Sequence, residues 1–421
     1  MKRLFAPAAA LVLALAFCLA SCTSSKGGGH SYQEDGYFVQ LNLERKDLLI
    51  DGETLSVQAF DQLMDELHGL LNGLEDKFSL EIDASDLSRV NAADAGEWVP
   101  VSEDTVALLE MSHAFTELTG GKFTPALFPL TELWGFAPSD AGHYNDSRPE
   151  PAADMLAAAK AVSDLSLFSW EGNAVSKAEN GAALDFGGIA KGYMCDAVVS
   201  YIGQKYAGRD IDAIVNLASS NSAYLGLKRD GDVSRGYNIG IDNPRRLSTG
   251  ITEGLYLVGV SEAAVTTSAD NYRYYIDGDR IYSHIIDAET GKPADRGIIS
   301  VTVVVPNAAH TNPGTFADSL STAAFCMPLT QALQFFERLA EQYGIGAVII
   351  TRDFRYYTVG DITAMNRKEF AQYCNDFLGS NYNVDSIADV FTKGDLASAG
   401  DEIEPCEAEL AYIARVKEIL N

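Results

Sequence analysis

The chain has 421 residues, with 31 Lys and Arg against 59 Asp and Glu, for a formal net charge of −28. Hydrophobic residues at 47% and charged residues at 21% suit a globular protein of two or three domains, or one large α/β unit with a sizeable core. A surface this acidic repels phosphate backbones and anionic headgroups, which argues against nucleic-acid binding; any anionic ligand then needs a locally positive pocket or a divalent cation.

Residues 1–21 read as a targeting segment. Lys2 and Arg3 precede an apolar run, residues 8–19, that is too short for a membrane span. The run closes on Leu19-Ala20-Ser21-Cys22, which resembles a bacterial lipobox with Cys22 as the lipidated residue. The other reading is an ordinary secretory peptide with a chance cysteine. Residues 22–36, rich in Ser and Gly, form a flexible tether. The expectation is an extracytoplasmic protein held by lipid to a bacterial membrane. The six cysteines make no disulfide framework in a chain this long. Cys195 and Cys326 fall in apolar surroundings as core residues, while Cys374 and Cys406 are placed to pair or to stay apart.

Residues 37–43 and 47–50 open as strands, and residues 56–74 carry Phe60, Leu63, Met64, Leu67, Leu70 and Leu71 at helical spacing. Residues 78–90 read as a polar loop ending at Asn91. Ser102 caps the next helix, which runs to about Leu118 and stops at Thr119-Gly120-Gly121. Residues 124–136 are apolar and broken by proline, hence a packed loop, and residues 137–151 form a polar excursion or seam. A helix over 151–162 is followed by a hairpin-like pair of 167–177 with 182–186. Short strands separated by turn residues fill 213–217, 223–227, 237–241, 255–260, 264–267, 281–286, 299–305 and 347–351, covered by helices at about 317–327 and 330–343. After Gly360 the composition shifts to an acidic, helical tail.

Four stretches carry chemistry. Leu184 to Asp196 (LDFGGIAKGYMCD) reads as a strand end, a glycine turn and the start of a helix. Gly187 and Gly188 allow close backbone approach, the helix N-terminus favours an anion, and Lys191 adds a point charge. A tightly packed turn with Lys191 in solvent fits the same spacing. Asp270 follows Thr266-Thr267-Ser268-Ala269, a strand end suited to an oxygen-rich ligand or to a solvated turn. His284 sits in an apolar strand, where a satisfied core histidine is the ordinary alternative to a catalytic one. Asp318 and Thr322, four apart on a helix, present two hard oxygens on one face, as Mg²⁺ prefers.

Together with residues 79–91 and 119–136, these stretches resemble, in order, the ApbE-like FAD:protein FMN transferases over roughly residues 37–360. The resemblance implies a mixed α/β (α+β) fold of mostly antiparallel sheets with covering helices and an FAD cleft. It leaves residues 361–421 as an extension of unknown role. It implies FAD as substrate and Mg²⁺ as cofactor, with transfer of FMN to a Thr or Ser hydroxyl of an exported or membrane flavoprotein and release of AMP. The metal would fall to Asp318, Thr322 and the Ala190 carbonyl. Gly187, Gly188, Lys191, Asp270, Asn216 and Thr267 would face the nucleotide, and His284 would assist the acceptor hydroxyl as a base. Rival readings are an FAD pyrophosphatase using water at the same site, and a flavin-binding lipoprotein without catalysis. Two departures stand out: Asn216-Leu217-Ala218-Ser219-Ser220-Asn221 replaces the family's usual Asn-Leu-Gly-Gly-Asn, and Ala269 stands where glycine is usual. Each added Cβ is expected to crowd or shift its loop.

Overall fold

Strand Ile298–Pro306 is made almost wholly of Ile, Val, Ser and Thr, and all but its last residue is buried. β-Branched side chains favour an extended backbone, and burial on both faces puts such a strand in mid-sheet. In the structure, a computed structural model describing residues 31–32, 39–137, 149–231, 233–278 and 280–420, that is where it lies. Ala263–Ala269 flanks it on one side and Gly346–Thr351 on the other, both antiparallel. Beyond Ala263–Ala269 come Asn221–Leu225 and Ile211–Leu217; beyond Gly346–Thr351 come Arg355–Val359 and, in parallel, Thr392–Lys393.

The pleat divides the side chains between two cores. Val301, Val303 and Val305 enter a core closed by helices, among them Val57–Phe78, Ala190–Lys205, Pro313–Phe325 and Leu329–Tyr343. Ile299 and Val304 enter the opposite core, closed by a small antiparallel sheet of Tyr237–Asp242, Glu253–Val260 and Thr363–Asn366. This is the mixed, mostly antiparallel architecture that the sequence implies. Cys195 and Cys326 are buried, and the four cysteines among the described residues are all free, so Cys374 and Cys406 do not pair.

Several local expectations are corrected. The first helix runs to Phe78, four residues past its expected end, because Leu74 and Phe78 continue the buried stripe. Residues 78–90 are not a loop throughout: Ser85 Oγ accepts the Ser88 amide at 2.9 Å and starts a helix over Asp86–Ala92, with Leu87 and Val90 buried. Phe128–Leu133 is a short helix begun by Pro129 inside the expected packed loop. The hairpin pairs Phe168–Glu171 with Ala174–Lys177, and residues 182–186 form no strand. The segment after Gly360 is no helical appendage. Thr363–Asn366 completes the small sheet, Arg367–Phe377 follows with a capping box from Asn366 and Glu369, and Glu407–Leu420 packs against the body. Cys22, the expected signal segment and residues 33–36 lie outside the described residues.

The helices Ala190–Lys205 and Pro313–Phe325 cross with backbone against backbone. A Cβ on Gly192 would lie 2.3 Å from the Gly314 carbonyl oxygen, and one on Gly314 would lie 2.8 Å from Asp196 Oδ1. The contact is sealed by Asp196, whose Oδ1 accepts the Gly314 amide at 2.7 Å and whose Oδ2 accepts the Thr315 amide at 2.8 Å and its hydroxyl at 2.7 Å. These are free N–H groups of the second helix's first turn, so one helix caps the other. Burial raises the Asp196 carboxyl to about 6 despite those bonds. Gly192→Ala is expected to destabilise the fold by about 1–3 kcal/mol through overpacking, read as a lower urea midpoint; an unchanged midpoint would refute the crossing.

Candidate active site

The glycine turn is held by groups far away in sequence. Asn91 Nδ2 donates to the Leu184 carbonyl and Asn91 Oδ1 accepts the Leu184 amide, both at 2.8 Å, like a rung of sheet made by one side chain. Lys177 Nζ donates to the Asn91 and Ala182 carbonyls at 2.6 and 3.0 Å. The Asp185 amide donates to the Pro125 carbonyl at 2.7 Å. The chain then turns through exposed Gly187 and half-buried Gly188 into the helix that starts at Ala190. A Cβ on Gly188 would come within 3.3 Å of Thr322 and 3.4 Å of Phe123, so glycine lets the turn lie close against the neighbouring helix.

That neighbour brings Asp318 and Thr322. The Asp318 side chain is 4% exposed, its Oδ2 accepts the Gly192 amide at 3.0 Å, and the Lys191 ammonium stands 3.7 Å away. Burial raises the Asp318 carboxyl, while Lys191, Gly192 and the Asn221 amide oppose the shift. Lys191 also donates to the Gly187 carbonyl at 2.5 Å, so it closes the turn over the carboxylate and does not lie free in solvent. One helical turn from Asp318, Thr322 Oγ1 is 3.4 Å from Ser268 Oγ, which is 2.8 Å from Ser321 Oγ.

His284 does not lie within a strand. It follows Arg280–Ser283, and its amide donates to the Arg273 carbonyl at 2.9 Å. Nδ1 is 3.2 Å from the same oxygen. An acceptor there keeps the ring proton on Nδ1 and leaves Nε2 with a free lone pair. Burial, with help from Arg273 and Lys191, lowers the imidazole to about 3, so the ring is neutral near pH 7.

Three of the residues expected to face the nucleotide lie apart from the Asp318 cluster. Ala213, Val215 and Leu217 enter the helix-side core, so Asn216 points to the opposite face, where its Oδ1 accepts the Ser222 hydroxyl at 2.6 Å. Thr267 shares the face of Val265, away from the helices, and its hydroxyl meets Thr302 at 2.9 Å. A shift of one residue along a strand changes the face. The polar groups that reach the Asp318 cluster are therefore Asn221, which also accepts the Thr266 hydroxyl at 2.7 Å, and Ser268. Alternation down 213, 215 and 217 was the available signal, because Leu217 pairs with Asn221. Asp270 is committed elsewhere: both its oxygens bind the Arg245 guanidinium, at 2.6 and 2.8 Å. The sequence reading also missed Asn91 and Asp196, whose roles depend on partners about ninety or more residues away.

The altered loop keeps a glycine-like path. Ala218 and Ser219 hold φ of 49° and 59°, the left-handed region, with the Ala218 amide on the Gln40 carbonyl at 2.9 Å. The missing glycines leave strain in the backbone. Ala218→Gly and Ser219→Gly are each expected to raise unfolding free energy by about 0.5–1 kcal/mol in urea titrations; a loss at both positions would contradict the strain. His284 gives a pH test. Its folded pKa lies below the ordinary 6.5, so its contribution is present above pH 6.5 and is lost as pH falls from there toward 3. Relative to His284→Gln, the native chain should lose stability between pH 7.5 and 5 in parallel melts; equal slopes would mean the imidazole is not held neutral.

A model of the ApbE family matches residues 39–349. Over 299 residues the chain is 29% identical to the FAD:protein FMN transferase of Vibrio cholerae serotype O1, covering 70% of this chain and 82% of that protein. Over 306 residues it is 32% identical to the FAD:protein FMN transferase of Treponema pallidum, covering 69% and 78%. Among solved structures, the flavin transferase ApbE of Vibrio cholerae superposes with a TM-score of 0.61 at 26% identity, over 82% of this chain and 97% of that one. The ApbE protein of Thermotoga maritima gives 0.62 at 26% identity, over 80% and 96%. The match runs through each of the elements that build the Asp318 cluster, and the chain belongs to the ApbE family.

Proposed function

We propose that this chain is an FAD:protein FMN transferase that acts outside the cytoplasmic membrane, held there through Cys22. The observation that carries the reading is the buried Asp318 carboxylate that accepts the Gly192 amide beside Lys191, with Thr322 one helical turn on and a neutral His284 within electrostatic reach of Lys191. The reaction attaches an acceptor Ser or Thr hydroxyl oxygen to the FMN-side phosphorus of FAD. The pyrophosphate P–O bond breaks, AMP departs with the electron pair, and His284 Nε2 takes the hydroxyl proton. Such transfer depends on positioning and charge neutralisation more than on covalent help.

The donor set fits Mg²⁺. Among the described residues no three His, Cys, Asp or Glu side chains cluster as a metal cage. Mg²⁺ ordinarily takes one or two carboxylates and leaves its other positions to phosphates and water. Asp318, Thr322 and the Ala190 carbonyl are the groups that would hold it, and it would neutralise pyrophosphate charge. The Lys191 ammonium, 3.7 Å from Asp318, balances part of that carboxylate's charge. Lys191 and the Gly187-Gly188 turn would then meet the nucleotide phosphates. The target would be an exported or membrane flavoprotein.

The test mixes the chain lacking residues 1–22 with FAD, Mg²⁺ or EDTA, and candidate acceptors, following AMP and covalent flavin fluorescence on denaturing gels. AMP with a fluorescent acceptor, both lost in EDTA, is the expected result. AMP without label in the presence of a competent acceptor would establish the pyrophosphatase instead. Asp318→Asn should abolish Mg²⁺-dependent turnover, and His284→Gln should lower transfer about 10²–10⁴-fold with little change in FAD binding. Full transfer by Asp318→Asn would remove the metal assignment.

A further inference from the structure

We propose that the C-terminal helix Glu407–Leu420 braces the active site, with Glu409 and Tyr412 as positioning residues that hold the Asp270 strand end and the hairpin leading to His284. The inference rests on the transferase reading above. It concerns a segment outside the family match, which ends at residue 349.

The junction is a buried guanidinium between two carboxylates. The Arg245 side chain is fully buried; its Nη1 and Nη2 bind Asp270 at 2.6 and 2.8 Å, and its Nε and Nη2 bind Glu409 at 2.5 and 2.8 Å. Nη1 also donates to the Pro244 carbonyl at 3.2 Å, so all five N–H donors are used. The Tyr412 ring lies under the guanidinium, 4.6 Å from centroid to Cζ. Asp270 alone would leave two donors unsatisfied and the fork free to turn. Glu409 and Tyr412 remove that freedom and set where Asp270 stands.

From there the constraint reaches the site along two short paths. Asp270 directly follows Ala263–Ala269, the strand whose Ser268 touches Ser321 and Thr322. Four residues on, the hairpin of Tyr274–Asp277 with Arg280–Ser283 begins, and its next residue is His284. One hairpin face carries Tyr275 and Tyr282, stacked 5.0 Å apart and covered by Phe136 and Trp134. The other carries Tyr274, Ile276 and Ile281, which pack on Tyr412, Ile413 and Val416. The Tyr412 hydroxyl donates to that of Tyr274 at 3.3 Å. A two-stranded hairpin is marginal unless its faces are covered, and here the C-terminal helix covers one of them.

The experiment uses the same chain carrying Glu409→Gln, Tyr412→Leu or Tyr412→Phe, read by transfer kinetics and amide hydrogen exchange. Glu409→Gln and Tyr412→Leu should lower kcat about ten- to a hundredfold, since misplacement of about 1 Å has that effect, with the KM for FAD changed less than about threefold. Exchange over residues 270–286 should quicken while residues 320–340 keep native protection. Tyr412→Phe, which keeps the ring over Arg245, should retain most of the activity. Unchanged kcat and exchange in the two damaging variants would overturn the proposal. So would losses spread evenly over kcat, FAD binding and core protection, which is the mark of general destabilisation. If the unaltered chain transfers no flavin, the functional reading fails by itself; faster exchange confined to residues 270–286 would still support the brace, and its absence would end it.

Discussion

The site depends on how closely two helices approach. Gly192 and Gly314 let the backbones of Ala190–Lys205 and Pro313–Phe325 touch, and Asp196 binds the opening amides of the second helix. This crossing brings the Gly192 amide onto Asp318 and Lys191 beside it. A side chain at either glycine would move the carboxylate away from the turn at Gly187-Gly188. The glycine pair that drew attention in the sequence is thus one half of the arrangement. The other half is a glycine pair contributed by two different helices.

Charge is handled locally. A chain with net charge −28 repels anions at long range, yet inside the cluster Lys191 stands against the buried Asp318 carboxylate. The surrounding ion pairs keep other acids occupied. Asp270 shares the Arg245 guanidinium with Glu409, and Asp287 pairs with Arg296 and Lys122 at 2.6 and 3.5 Å. His284 stays neutral because burial and two nearby cations oppose its protonation. The C-terminal segment belongs to the same economy of charge, since Glu409 completes the bonding of Arg245.

The parts of the site that were legible in the sequence share one property: they are local. Asp318 and Thr322 lie one turn apart on any helix, and the glycine turn before Lys191 is contiguous, so both survive translation into three dimensions. Asn216 and Thr267 lie on the sheet face away from Asp318, because strand parity is set by which face the sheet turns to the helices, and neighbouring residues cannot report that. Asn221 and Ser268 take their positions by that same parity. Asn91, with its clamp on Leu184, has no local signature at all.

Residue order by itself determined the family, the mixed α/β class, the helix carrying Asp318 and Thr322, and the glycine turn, because each rests on periodicity or contiguous motif. The tertiary structure decided that Asp270 serves a buried ion pair, that Asn221 and not Asn216 faces Asp318, and that the tail after Gly360 is built into the body. It also showed that Ala218 and Ser219 adopt the left-handed backbone that glycine usually takes. Those outcomes turn on burial and on partners distant in sequence. Such energies exist only once the chain has folded and water has been excluded.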